Sequence, residues 1–339
     1  MNTLHAGSLR GIHDPPLKSG MKRFVRFLVA MIALGCSPAT PAEVFPSKPI
    51  RFVVPYPPGG TPDVIARVMS VEMAKKVGQP VIVENRSGAD GMIGYEFVAR
   101  RAPPDGYTVA IGSVQALAIA PVAVKEMRFD PIRDLLPVIG IAQGRLALVS
   151  SATLPWASFN AMVSELKSSP GKYNYGTSSL SVRLATESML RHYGLDVIPI
   201  PFSGDGPARI RAILNAEIHI GLVAEQFAIS LGDKVRVLAV TGEGRAMTFP
   251  NVPTFAELGL PDLKGLSYSL SAPRATPKEA VATLYSAASQ TLQIPTVHSQ
   301  LERIRMEVVV QAPDLASKQL ADEARFFSET AKKLGIKPE

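Results

Sequence analysis

The stretch Val53-Val54-Pro55-Tyr56-Pro57-Pro58-Gly59-Gly60-Thr61-Pro62-Asp63 decides how this chain is read. Residues 49–54, leading into it, are rich in β-branched side chains and predict a short buried strand. After it, Val64, Ile65, Val68 and Val71 recur at helical spacing, and Gly78 supplies a stop. Thr61, Pro62 and Asp63 fit the N-cap, N1 and N2 positions of that helix. A strand therefore feeds a Gly-Gly loop, and the loop feeds a helix start. Such a start carries unpaired amides and roughly half a positive charge. Glycine lets a ligand approach the main chain, so a carboxylate or phosphate fits there. The competing reading is a tight strand-to-helix turn with no ligand.

Residues 1–42 read as a leader. Met21-Lys22-Arg23-Phe24-Val25-Arg26 is a basic n-region, residues 27–34 are an apolar h-region, and Thr40-Pro41-Ala42 offers a small-residue cleavage site. The apolar run is too short to span a bilayer. We expect export to the periplasm, with Met21 as the initiator. The single cysteine, Cys36, lies in the leader, where lipidation is the minor alternative; cleavage after Ala42 leaves no thiol.

The formal charge of +7 overstates the exported chain. Removing the five bases and one acid of residues 1–42 leaves 31 basic and 28 acidic residues, a net of +3. A balance that small and dispersed excludes a nucleic-acid surface. Roughly 300 remaining residues predict two domains.

Strands and helices alternate along the chain, which predicts an α/β protein with mostly parallel sheets. Strands are expected at 80–84 and 107–112, and helices at 92–101 and after Gln115. Ser113 and Gln115 sit at a strand end, where open α/β sheets bind ligands. Residues 138–151 form a long apolar stretch broken at Gln143-Gly144-Arg145, a candidate crossing between domains. In the second unit, residues 173–177 predict a strand running into Ser178-Ser179, residues 182–193 a helix, and residues 195–202 a strand. Ser203-Gly204-Asp205-Gly206-Pro207-Ala208 mirrors the first glycine loop, with Pro207 at a helix start. Strands at 218–223 and 235–241 follow, then a return strand at 266–272 and a largely helical C-terminal part.

These segments resemble a known family, the periplasmic solute-binding proteins of tripartite tricarboxylate transporters, also called Bug or TctC. The resemblance is carried by Lys48-Pro49-Ile50-Arg51 with the Pro-Gly-Gly loop, Gly78 to Ala89 (G-Q-P-V-I-V-E-N-R-S-G-A), Pro104 to Thr108 (P-D-G-Y-T) and Phe129-Asp130-Pro131. Arg236 to Thr241, Pro250 to Gly259 and Ala272 to Pro277 extend it in the same order. It implies a type II periplasmic-binding-protein fold, with two lobes joined by two crossing strands and closing on a small organic acid. It places lobe 1 at 44–143 plus 266–339 and lobe 2 at 144–265. It also implies a non-catalytic monomer with no cofactor or metal, partnered by membrane permease subunits.

The ligand contacts expected on this basis are Tyr56, Pro57, Gly59, Gly60, Thr61, Asp63, Ser113 and Gln115 from lobe 1. Thr177, Ser178, Gly204, Gly206, Pro207, Ala208 and Glu225 are their counterparts in lobe 2. Asp63 serves equally as ordinary compensation of the helix dipole. Arg145 reads either as an anion partner or as a solvated surface cation. The chain departs from the family pattern around Ser178, where the loop is about two residues shorter, at Arg183, which replaces a His, and at Ser267-Tyr268-Ser269, where Trp-x-Gly is usual. Two other readings stand beside this one. The first is a sensory subunit signalling through a kinase. The second is a secreted α/β hydrolase, for which no nucleophile elbow, P-loop or metal-ligand spacing is present.

Overall fold

A computed structural model describes residues 44–336, apart from 178–179 and 203–206, and of Pro207 and Ala208 the backbone. The leader with Met21 and Cys36, and the expected contacts Ser178, Gly204 and Gly206, lie outside the described residues. Strand β1 (Ile50–Val54) leads to α1 (Thr61–Val77), β2 (Val81–Asn85), α2 (Met92–Glu96), β3 (Thr108–Ser113), α3 (Val114–Ala123) and β4 (Leu135–Gly144). The chain then passes through Arg145 into β5 (Leu146–Ser151), α4 (Phe159–Ser168), β6 (Asn174–Thr177), α5 (Leu180–His192), β7 (Ile198–Pro201) and α6 (Pro207–Leu214). After β8 (Ile220–Ala224), α7 (Glu225–Leu231) and β9 (Val235–Val240) it returns through β10 (Leu266–Pro273) to α8 (Lys278–Leu292), α9 (Pro295–Arg303), β11 (Glu307–Gln311) and α10 (Pro313–Leu334).

Two sheets result, ordered β11-β4-β10-β3-β1-β2 and β7-β6-β8-β5-β9. They are mixed, which corrects the expectation of mostly parallel sheets. Parallel pairing is confined to β1 with β2 and β3, and to β6 with β7 and β8. The strands that carry the chain across, β4, β5, β9 and β10, pair antiparallel because one chain must leave and return through the same gap. Each sheet packs its own core, with Phe52, Met69, Ile139 and Leu284 in the first and Trp156, Phe159, Tyr175 and Phe255 in the second.

Helix α1 shows how the sequence sets the packing. Its buried stripe is Ile65, Ala66, Met69 and Met73, the i, i+4, i+8 face laid on the sheet. Fully burying each of its larger side chains contributes about 1.5–3 kcal/mol. Val71, expected on this face, is exposed, because its β-branched character marks it as apolar while the helical phase turns it to solvent. Residues 92–101 begin as α-helix and finish in a wider π-type turn. The 195–202 strand shortens to an edge strand holding Pro199 and Pro201, which lack the amides that a central strand needs. Helix α7, opening on Glu225, was not anticipated.

The two crossings touch. A side chain at Gly265 would collide with the Gly144 carbonyl oxygen and come within 2.7 Å of Thr241 Oγ1. Arg145 Nη1 donates to the carbonyls of Thr241 and Gly244, each at 2.7 Å. Beside the crossings, Leu184 of α5 is fully buried among Leu117, Leu320 and Phe327 of α3 and α10. That contact joins the lobes on one flank.

Candidate ligand-binding site

β1 and β3 are parallel neighbours, so the loops that follow them emerge at one edge of the sheet. β10 runs antiparallel to β3 and starts at that same edge, with Tyr268 opposite Ser113. In the second sheet, Leu146 pairs with Ala224, so β6 and β8 also end at the crossing edge. The described members of both sets of expected contacts therefore flank the hinge.

The β1–α1 loop is held open from beneath. Gly60, not Thr61, is the N-cap, which moves Asp63 to the third helical position. From there its buried carboxylate reaches back to the Gly59 amide at 2.9 Å. Arg67 Nε and Asn85 Nδ2 donate to it at the same distance. Arg67 foremost, with the Gly59 amide and Asn85, holds the Asp63 carboxyl down to about 2 against the opposing effect of burial. Asp63 is thus an organiser of the loop rather than a ligand group. Asn85 also donates to the Tyr56 carbonyl at 3.0 Å. It stands inside the quoted V-E-N-R motif, yet no local pattern in the sequence gives it this role.

Above this scaffold Pro57, Pro58, Gly59 and Gly60 are exposed, and no side chain caps the first turn of α1. Gly60 has φ −74°, which any residue adopts, and a Cβ there would meet only the Pro57 oxygen and Pro62 at ordinary contact distance. The fold does not need glycine at this position. What its absent side chain provides is access to the amides behind it.

The Tyr56 hydroxyl is buried without a hydrogen-bond partner among the described residues; Tyr95 and Ser113 are its polar neighbours, and neither meets bonding geometry. Burial, then the adjacent Tyr268, pushes its ionisation above the ordinary range. Burial likewise pushes Tyr268 up to about 12, with the Thr61 hydroxyl partly offsetting it. The wall beside the glycine loop is therefore made of neutral hydroxyls.

Ser113 and Gln115 take other roles than expected. The Ser113 hydroxyl caps α3 through the Ala116 amide at 3.3 Å and donates to Gln115 Oε1 at 3.2 Å. Gln115 Nε2 donates to the Gly265 carbonyl at 2.6 Å and to Ser267 Oγ at 3.0 Å, while Oε1 accepts from the Ser267 amide at 3.0 Å. All four hydrogen-bonding positions of the amide are occupied. Gln115 is a clamp on the second crossing, and nothing is left for a ligand.

In the second lobe Thr177 is buried at the end of β6, its carbonyl accepting from Phe202 at 2.8 Å. The backbone of Pro207 and Ala208 opens α6. Glu225 turns inward: its amide donates to the Arg145 carbonyl at 2.9 Å, and its buried carboxylate accepts from the Thr248 hydroxyl. It braces the hinge rather than meeting an amine. Arg145 is half-buried, with its Nη1 held on the second crossing as described. One group was missed. Arg209, 1% exposed, donates to the Leu222 carbonyl at 3.1 Å and packs its stem beside Gly176, which buries a cation beside the end of β6. Arg183, on the α5 face of the departure from the family pattern, donates to Glu187 at 2.7 Å, and Glu187 also accepts from the buried Tyr175 hydroxyl at 2.7 Å. An Arg two positions after a helix-opening Pro was the available signal for Arg209.

The three described histidines are dispersed. His219 Nδ1 accepts from the Asn174 amide at 3.1 Å and its charged form is disfavoured by burial; His298 faces Glu302; His192 stacks against Tyr193. Among the described residues no cluster of His, Cys, Asp or Glu has the makings of a metal site. A cavity of about 300 Å³ lies between α5, residues 259–263 and α10, and another of about 380 Å³ between α1 and α8. Neither is lined by an expected contact residue.

Two α/β lobes around a double crossing, with loops from both at the crossing edge, are the architecture of the periplasmic-binding-protein fold. The model of the tripartite tricarboxylate transporter family receptor matches residues 65–336, and the chain belongs to that family, TctC or Bug. Protein BugT of Bordetella pertussis is 31% identical over 94% of this chain and 99% of its own. The structure of Rpa4515 from R. palustris with adipate is 30% identical, covers 87% of this chain and 100% of its own, and superposes with a TM-score of 0.72. MatC from Rhodopseudomonas palustris with bound malate is 27% identical over 84% of this chain and 99% of its own, with a TM-score of 0.68.

Proposed function

We propose that this protein captures a small organic carboxylate in the periplasm and delivers it to the permease subunits of a tripartite transporter. The observation that carries the reading is the uncapped, exposed first turn of α1, with Gly60 leaving its amides open to an incoming oxyanion. The amides of Gly60 and Thr61 would hold one carboxylate by main-chain dipoles, with Gly59, whose amide Asp63 holds, shaping the loop around it. Thr177, Ser178, Gly204, Gly206, Pro207 and Ala208 would answer from the other lobe, with Arg209 adding a positive background beside the end of β6. Closure of the lobes around the ligand then gives the form that docks on the membrane partner. Adipate and malate in the related structures make dicarboxylates the first class to try.

A thermal-shift screen over C3–C8 mono- and dicarboxylates, with aromatic acids and amino acids alongside, tests this. A ligand at about 100 times its Kd stabilises by about 2.7 kcal/mol, a shift of several degrees. A screen in which only non-anionic solutes shift the transition would overturn the carboxylate reading.

A further inference from the structure

Helix α10 places Glu323 against the start of β10, directly beneath the second crossing. The residue is buried, and its Oε1 accepts from Gln319 Nε2 at 2.9 Å and from Ser267 Oγ at 3.3 Å. Its Oε2 is buried and has no hydrogen-bond partner among the described residues. An ionised carboxylate offers about four acceptor sites, so this environment leaves the charge poorly answered. The same Ser267 hydroxyl that donates to Glu323 accepts from Gln115, and Gln115 grips Gly265. A continuous chain, Gln319–Glu323–Ser267–Gln115–Gly265, buried at its centre and half-buried at its ends, thus runs from the C-terminal helix to the point where the two crossings touch.

The charges around Glu323 are few. Helices α3 and strand β4, packed against α10, carry no ionisable side chain. From β10 the only ionisable group is Tyr268, which neighbours Thr61 and Tyr56. From α5, Arg191 is held by the Lys333 carbonyl at 2.7 Å, Arg183 is paired with Glu187, and His192 lies edge-on to Tyr193. In the short helix Pro131–Asp134, also packed against α10, Arg133 is paired with Asp130 and Asp134 with Arg100. On α10 itself, Asp322 is paired with Lys318 and Arg325. That leaves Lys264, exposed and one residue before Gly265, as the cation acting on Glu323. Burial pushes the Glu323 carboxyl up to about 7, with Gln319, Ser267 and Lys264 pulling the other way.

The geometry points to Glu323 as a proton-linked positioning residue of the hinge, acting through Ser267 and Gln115 and answered by Lys264 on the second crossing. When protonated it carries no unanswered charge and the Ser267–Gln115 chain holds the crossing at Gly265; when ionised its poorly answered charge is drawn toward Lys264 and solvent, and the crossing loosens. Its consequence for ligand affinity rests on the capture reading above, but its test does not.

The test uses the full chain without ligand. Amide hydrogen exchange of residues 263–268, corrected for intrinsic rates, is followed between about pH 6 and about pH 8 in the wild type, Glu323→Gln and Lys264→Met. Protection should fall as pH rises in the wild type, stay at its low-pH level in Glu323→Gln, and go on falling to higher pH in Lys264→Met, which lacks the cation that eases the ionised form. The sign of the stability change is fixed too: a carboxyl raised above its unfolded value weakens the fold as pH rises between the two values. Glu323→Gln should therefore melt at or above the wild type near pH 8 and match it near pH 4. Parallel exchange profiles for wild type and Glu323→Gln would overturn the proposal. Adipate as probe adds a separate arm: its failure to bind counts against the capture reading, while the exchange profile still decides the hinge.

Discussion

Helices α1 and α3 begin at the same edge of the six-stranded sheet, one strand apart, yet their first turns are finished in different ways. At α3, Ser113 caps the helix and Gln115 bonds to three groups of the returning strand. At α1 no side chain caps the turn, and the polar groups nearby, Asp63 and Asn85, hold the loop from behind. The contrast separates two jobs that the sequence presents in the same guise, a strand end followed by small or polar residues. One start serves the hinge. The other keeps its amides for something outside the chain.

The sharpest way to break that division is Gly60→Leu. The backbone there suits any residue and the space is open, so the melting temperature should move by no more than ~1 kcal/mol-equivalent. A side chain over the amides should cost at least about a hundredfold in carboxylate affinity, roughly 2.7 kcal/mol, measured by calorimetry on the acid found in the screen. Unchanged affinity would move the site away from α1.

Asp63→Asn tests the support beneath the loop. The carboxyl is held at about 2 against 3.8 when unperturbed, so it contributes on the order of 2 kcal/mol above that unperturbed value, lost as pH falls toward 2. The variant should be less stable by about that amount near neutrality and show a flatter acid limb. Equal acid limbs in denaturant titrations would mean that the loop is held by something else.

Why the sequence separates these cases so unevenly has a physical answer. The β1–α1 unit is legible because its determinants are local: β-branched residues, two prolines, two glycines and an acid within about one helical turn. Gln115 was misassigned because its partners, Gly265 and Ser267, lie 150 and 152 positions away, and only the folded crossing brings them together. Glu225 and Arg145 fail in the same manner, since each is held by a backbone group or hydroxyl from a distant turn. Arg209 was passed over because an arginine in an amphipathic helix reads as solvated until the sheet is packed onto it. The family resemblance carries motifs, and motifs do not say which polar group is already engaged.

Gln115→Met keeps the volume and removes the clamp. Three hinge groups lose their partner, so the stability cost should be about 1–3 kcal/mol, with any change in affinity smaller than that of Gly60→Leu. Small-angle scattering without ligand should report a broader distribution of lobe separations. If affinity instead collapsed while the scattering profile stayed fixed, Gln115 would return to the ligand and the division between the two helix starts would fail.

The smallest effect is expected at Tyr56→Phe. Its hydroxyl is buried and unpartnered among the described residues, so removing it relieves a desolvated polar group and should be neutral or stabilising by up to about 1 kcal/mol. The ring remains to pack against Gly91 and to floor the glycine loop, so carboxylate affinity should stay within about threefold of wild type. A tenfold loss with no loss of stability would mean that the hydroxyl turns toward the ligand on closure. The outer start would then recognise its anion with a side chain as well as with main-chain amides, and the difference between α1 and α3 would be one of timing rather than of kind.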